Sequence, residues 1–184
     1  NSSSYSDLIC KIGYSGIIFL PVTFYETVVH YLNRSKKPLI WFYSICFGFL
    51  ISLWTSNLFI KGAYLQTFGY YPEAGMLHVG YLMMVCILMV LIFFILYRVF
   101  KEEKDPIKRN QVKFFFIATI FFCFSAIDYF LNYPILVNKL NVQLYPFGVF
   151  FLAFSMLVFV LSHFITLNLT LENRVALKTV QLKD

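Results

Sequence analysis

Few side chains in this sequence could do chemistry, and most of them stand in apolar surroundings. Glu26 and His30 lie four residues apart, hence on one face of a helix. Asp128 sits in the run SAIDYFLNY, and His78 lies near the start of a long apolar stretch. Charge in such places is costly unless it meets a partner or a polar cavity, so each group is a candidate for function. Glu26 and His30 either share a proton as an intramembrane pair turned toward the bundle, or reach from the last turns of their helix to the headgroups. Asp128 falls at a depth that His78 and Lys11 would share. Tyr70, Tyr71, Tyr81, Tyr129 and Tyr133 would wall the space between them. Two readings follow: a polar pocket that takes a small ligand or a proton, or a single buried ion pair or hydrogen bond that fixes packing. His30 and His163 raise a rival chemistry, axial ligation of a b-type haem. Their flanks (Val29 and Tyr31, Ser162 and Phe164) are too bulky to suit a macrocycle, and no cofactor is expected.

Catalytic signatures are missing. The sequence contains no GxGxxG, Walker loop, GxSxG or HExxH. Cys10, Cys46, Cys86 and Cys123 fall in apolar stretches without CxxC or Cys/His spacing, which reads as small buried hydrophobes and no metal site. The chain itself is expected to catalyse nothing.

The elements that must position these groups are helices in a bilayer. Hydrophobic residues make up 60% of the 184 residues and charged ones 13%, and the mean hydropathy is +0.73. Soluble domains carry roughly 25% charged residues. A hydrocarbon core takes about 20 residues of helix to cross, and five segments qualify: 8–32, 39–60, 76–100, 114–136 and 147–171. These runs are apolar all round, whereas strands of a membrane barrel alternate. The expected fold is an all-α polytopic membrane helix bundle of about five transmembrane helices. Pro21 predicts a kink in the first helix, because it removes a backbone hydrogen bond. Pro38 suits the first turn of the second. The link Lys61 to Gly75, with Pro72 and three glycines, reads as turns that hold Tyr64, Phe68, Tyr70 and Tyr71 at headgroup level. Trp54 and Trp41 suit the outer and inner aromatic belts. Residues 1–7 are polar and lack a basic region, so no cleavable signal peptide is evident.

The net charge of +6 does not indicate nucleic acid, because the basic residues lie in short links. Three fall in the first link (Arg34, Lys36, Lys37) and six in the third (Arg98, Lys101, Lys104, Lys108, Arg109, Lys113). Three more follow the last span (Arg174, Lys178, Lys183). That places twelve of the fifteen on one side, against Lys11, Lys61 and Lys139 on the other. The positive-inside rule then puts the N-terminus outside and the C-terminus in the cytoplasm. A multi-pass protein of the cytoplasmic (inner) membrane is expected.

From Ile165 the chain reads ITLNLTLENRVALKTVQLKD without Gly or Pro, so the last helix is expected to leave the membrane. The bundle would occupy 1–171 and a juxtamembrane helix 172–184. Leu171, Val175 and Leu182 begin a heptad seam that Lys178 interrupts, so the segment is either a signalling helix or an amphipathic tail. A transporter or channel would want paired broken helices or rings of charge. Here Pro21 is the one break that stands out, and the second, third and fifth helices lack acidic residues through their cores.

Several segments in order resemble a known family. They are CKIGYSGIIFLPVTFYETVVHYL, FGYYPEAGMLHVGYL, RNQVKFFFIATIFFCFSAIDYFLNYPI and LYPFGVFFLAFSMLVFVLSHFITLNL. The shared features are Arg109 and Gln111 opening the fourth helix, and Asp128-Tyr129-Phe130-Leu131 near its end. Tyr145-Pro146-Phe147-Gly148 opens the fifth, and Gly69-Tyr70-Tyr71 with Gly75 precedes the third. Together they resemble the N-terminal seven-transmembrane sensor region of bacterial histidine kinases and of some nucleotide and diguanylate cyclases. The resemblance implies two helices ahead of the first one here, so that the chain looks like helices three to seven of such a region. It also implies a cytoplasmic output enzyme beyond Asp184, a histidine kinase or alternatively a cyclase, and a homodimer through the last helix.

Overall fold

A computed structural model describes residues 2–66, 69–132 and 145–181. Its order is α1 (Ser2–Ile17), α2 (Leu20–Tyr31), α3 (Lys37–Thr55), β1 (Ile60–Gln66), β2 (Gly69–Ala74), α4 (Met76–Glu102), α5 (Pro106–Asn132) and α6 (Tyr145–Gln181). Four spans among the described residues are long and apolar enough to cross a membrane: Tyr5–Tyr31, Lys37–Thr55, Met76–Glu102 and Phe147–Glu172. Between the last two, α5 carries no charge from Phe114 to Ile127 and packs against both α4 and α6. The molecule is an all-α polytopic membrane bundle with one small hairpin.

The burial pattern follows the helical repeat. On α4 the residues Tyr81, Val85, Leu88, Ile92 and Leu96 are buried, at steps of three or four. They face the core with Val22, Val28 and Val29 of α2, while Met83, Ile87, Val90 and Phe94 on the opposite side are exposed. An apolar outer face of this kind is what a helix shows to lipid. Aromatic pairs lock α5 to α6: Phe115 and Phe159 have ring centroids 4.5 Å apart, and Phe121 and Phe151 stack at 4.7 Å.

Three elements depart from expectation. The first helix is not one kinked rod but two helices, and it begins at Ser2 rather than near residue 8. The second ends at Thr55, five residues short of the expected end, because Ser56 turns to extended backbone. The link after it, read as turns, is an antiparallel hairpin. Tyr64 pairs with Tyr71 and Ile60 with Ala74, with an irregularity between Ile60 and Gly62. Pairing satisfies the backbone groups that bare turns would leave to solvent, and the Tyr64 and Tyr71 rings pack edge-on at 5.9 Å. The hairpin rests on α1. Phe68, also placed in this link, lies outside the described residues.

Gly75 fixes the hairpin to α4. Its N–H donates to Phe59 O at 2.9 Å, and Leu77 N–H donates to Leu58 O at 2.9 Å. A Cβ on Gly75 would fall 2.1 Å from the Leu58 carbonyl oxygen and 2.5 Å from its carbon. Only a residue without a side chain allows the two backbones to approach so closely.

Candidate functional site

At the hairpin end, His78 is 1% exposed and lies in an aromatic knot. Its ring centroid is 5.7 Å from Tyr14, 5.2 Å from Phe59 and 5.7 Å from Tyr81. One turn separates His78 from Tyr81 along α4, while Phe59 arrives from the hairpin base and Tyr14 from α1. The knot therefore ties three elements together.

Tyr81 has a second task, set by Pro21. A proline at position 21 has no N–H to give to the carbonyl of Ile17, four residues back. In lipid that carbonyl needs another donor, and the Tyr81 hydroxyl supplies one at 2.9 Å. The neighbouring carbonyl of Ile18 is also released, because Val22 N–H bonds to Phe19 O instead, at 3.1 Å. It accepts from Cys46 Sγ of α3 at 3.4 Å. The break between α1 and α2 is thus held by one side chain from α4 and one from α3.

The opposite end of the bundle holds a cavity of about 630 Å³. Two local motifs build its rim. The last turn of α2 closes with Arg34 N–H on Val29 O at 2.9 Å and Asn33 N–H on His30 O at 3.1 Å. Asn33 stands in the left-handed region at φ 49°. This is the Schellman arrangement, which asparagine tolerates better than branched residues. Asp105 then caps α5, its Oδ1 accepting from Ile107 N–H at 2.9 Å, with Pro106 in the first turn. The first motif brings Asn33 and Arg34 to the cavity, the second Lys108 and Gln111.

A polar contact spans the cavity floor. Gln111 is buried, and its amide Oε1 accepts from the Tyr31 hydroxyl. The Tyr31 ring packs on Phe115, Phe159 and His163, with centroids 5.2, 4.9 and 6.3 Å away. One residue at the end of α2 therefore touches α5 and α6 together.

The groups singled out in the sequence are placed as follows. Glu26 does not pair with His30: its Oε2 accepts from the Tyr43 hydroxyl of α3 at 2.6 Å, while His30 lines the cavity beside His163. A helical spacing of four permits a contact, but a neighbouring helix offers Glu26 a better-placed donor. His78 and Tyr81 come together in the knot. Tyr70 and Tyr71 belong to β2, and Lys11 sits on α1, half-buried, its carbonyl accepting from Ser15 Oγ at 2.9 Å. The side chains of Asp128 and Tyr129, and all of Tyr133, lie outside the described residues. Sequence reasoning missed the Tyr31–Gln111 contact. Gln111 beside the basic residues of the third link was the available signal, but its partner is 80 positions away. Among the described residues no three metal-ligating side chains cluster.

No curated protein and no solved structure shows a significant match to the chain. A family model described as the N-terminal 7TM region of histidine kinase matches residues 2–170. That span takes in the broken first helix, the hairpin, the knot and the cavity, and this membrane protein belongs to the family of histidine kinase N-terminal 7TM regions.

Proposed function

We propose that the chain is a membrane-embedded sensor that couples an external or intramembrane stimulus to a cytoplasmic histidine kinase following α6. It would lie in the cytoplasmic membrane with the hairpin outside and the basic links inside. The observation that carries this reading is α6 itself. It is one uninterrupted helix of 37 residues, about 55 Å long at 1.5 Å per residue, whereas the hydrocarbon core is about 30 Å thick. A rod of this length extends from the bundle into the aqueous phase without a joint. Its middle is in ring contact with Tyr31 through Phe159 and His163, so a shift of α2 bears on it directly. Leu171 and Val175, both exposed, offer a seam through which α6 of a second copy would pair. Leu182, the third position of that seam, lies outside the described residues. A stimulus acts here only by binding the two arrangements of the bundle unequally.

The test uses the full-length protein in membranes, with one to four alanines inserted after Leu171. Each inserted residue turns a continuous helix by about 100°. Autophosphorylation should rise and fall with that phase, and a seven-residue insertion should restore the starting level. Equal activity at every insertion length would show a slack tether and end the proposal.

A further inference from the structure

The cavity at the basic end has a charge arrangement that selects among ligands. Its wall includes two cations, Arg34 and Lys108, and two carboxylates, Glu102 and Glu103. The backbone motifs at the helix ends fix where each side chain starts. The carboxylates are also anchored: Glu102 Oε1 accepts from Arg98 Nε at 2.9 Å, and Glu103 Oε1 accepts from Asp105 N–H at 3.1 Å. We propose that this cavity binds a phosphate–ammonium zwitterion, and that the occupant is the headgroup of an ethanolamine phospholipid.

The charge balance carries the argument. A bare anion would meet Glu102 and Glu103, and a bare cation would meet Arg34 and Lys108. Like-charge contacts of this sort reject a ligand as effectively as good contacts recruit one. A group with both signs a few atoms apart places its phosphate on Arg34 and Lys108 and its ammonium on Glu103 and on the free oxygen of Glu102, whose other oxygen Arg98 already holds. Guanidinium and ammonium donors suit phosphate oxygens. Carboxylates accept N–H bonds, which a primary ammonium donates and a quaternary choline nitrogen has none to give. The volume of about 630 Å³ falls within the roughly 300–1,000 Å³ of pockets that hold small ligands. The location favours a lipid over a soluble zwitterion. The cavity opens where α2 and α4 end and α5 begins, at the ends of the apolar spans Tyr5–Tyr31 and Met76–Glu102, where headgroups would lie. Leu32, Val99 and Val112 line it with apolar surface suited to the glycerol and first methylenes. The inference rests on the membrane bundle but not on its orientation or on coupling to a kinase.

The experiment titrates the purified chain in detergent with dioleoyl phosphatidylethanolamine, dioleoyl phosphatidylcholine and free phosphoethanolamine, and reads retention by native mass spectrometry. The wild type should hold the ethanolamine lipid about tenfold more tightly than the choline lipid, the size of one charged hydrogen bond. The double variant Arg34→Gln/Lys108→Gln should lose both lipids by a similar factor. Glu102→Gln/Glu103→Gln should erase the preference while keeping phosphate-dependent retention. Equal retention of the two lipids by the wild type overturns the proposal, and that comparison stands even if a variant fails to fold. Competition by free phosphoethanolamine at the same concentration as the lipid overturns the lipid assignment in favour of a soluble zwitterion.

Discussion

Tyr31 and Gln111, 80 positions apart in sequence, meet through a hydrogen bond from the phenol to the buried amide. It links the end of α2 to the first turns of α5 under the floor of the cavity. Tyr31→Phe keeps the ring packing and leaves the Gln111 oxygen buried without this donor. A loss of about 1–3 kcal/mol is expected for such an orphaned group. Thermal unfolding in detergent should show it, and Gln111→Leu in the same background should recover part of the loss. Additive losses in the double variant would mean that the two groups do not couple.

Gly75→Ala should displace the hairpin, because the added methyl would collide with the backbone of Leu58. Overpacking of this kind costs about 1–3 kcal/mol, or more where backbone must move. The hairpin should become a new site of limited proteolysis. Cleavage no faster than in the wild type would show that the close approach at Gly75 is dispensable.

Asn33 holds a left-handed conformation at the end of α2. Asn33→Gly should be nearly neutral, whereas Asn33→Val should lose about 1–2 kcal/mol, the strain of that conformation for a branched residue. The comparison to make is chemical stability in mild denaturant for the two variants side by side. Equal stability would show that the turn adopts another form.

Orientation is open to direct measurement. With Cys10, Cys46, Cys86 and Cys123 replaced, single cysteines at Leu65 on the hairpin and Lys104 in the α4–α5 link should report opposite faces of the membrane. An impermeant maleimide should label Leu65→Cys on intact cells and Lys104→Cys only after permeabilisation. The reverse pattern would invert the bundle and remove the route from an external stimulus to a cytoplasmic kinase.

Elements governed by composition were legible in the sequence. Length and hydropathy located the helices, and Pro38 marked where one of them starts, whereas Pro21, read as a kink, falls in the first turn of a separate helix. The hairpin was hidden because Pro72 and three glycines in its stretch signal turns, and pairing between strands is decided by a partner rather than by local preference. The candidate site divided along the same line. Glu26 and His78 were recognisable as ionisable groups in apolar runs, but their neighbours were not. Glu26 finds Tyr43 on another helix, and His78 finds Phe59 at the foot of the hairpin. Arg34 and Lys108 looked like topology signals, and only the capping turns reveal that they share one cavity.

Pro21 leaves the first span in two pieces, and Tyr81 and Cys46 grip the two released carbonyls. A joint secured from two neighbouring helices does not swivel by degrees. To change angle it must drop at least one bond inside lipid, where no water stands ready to replace it. The upper and lower parts of that span should therefore click between discrete settings, and a withdrawal of α4 by the length of one hydrogen bond is enough to release the catch.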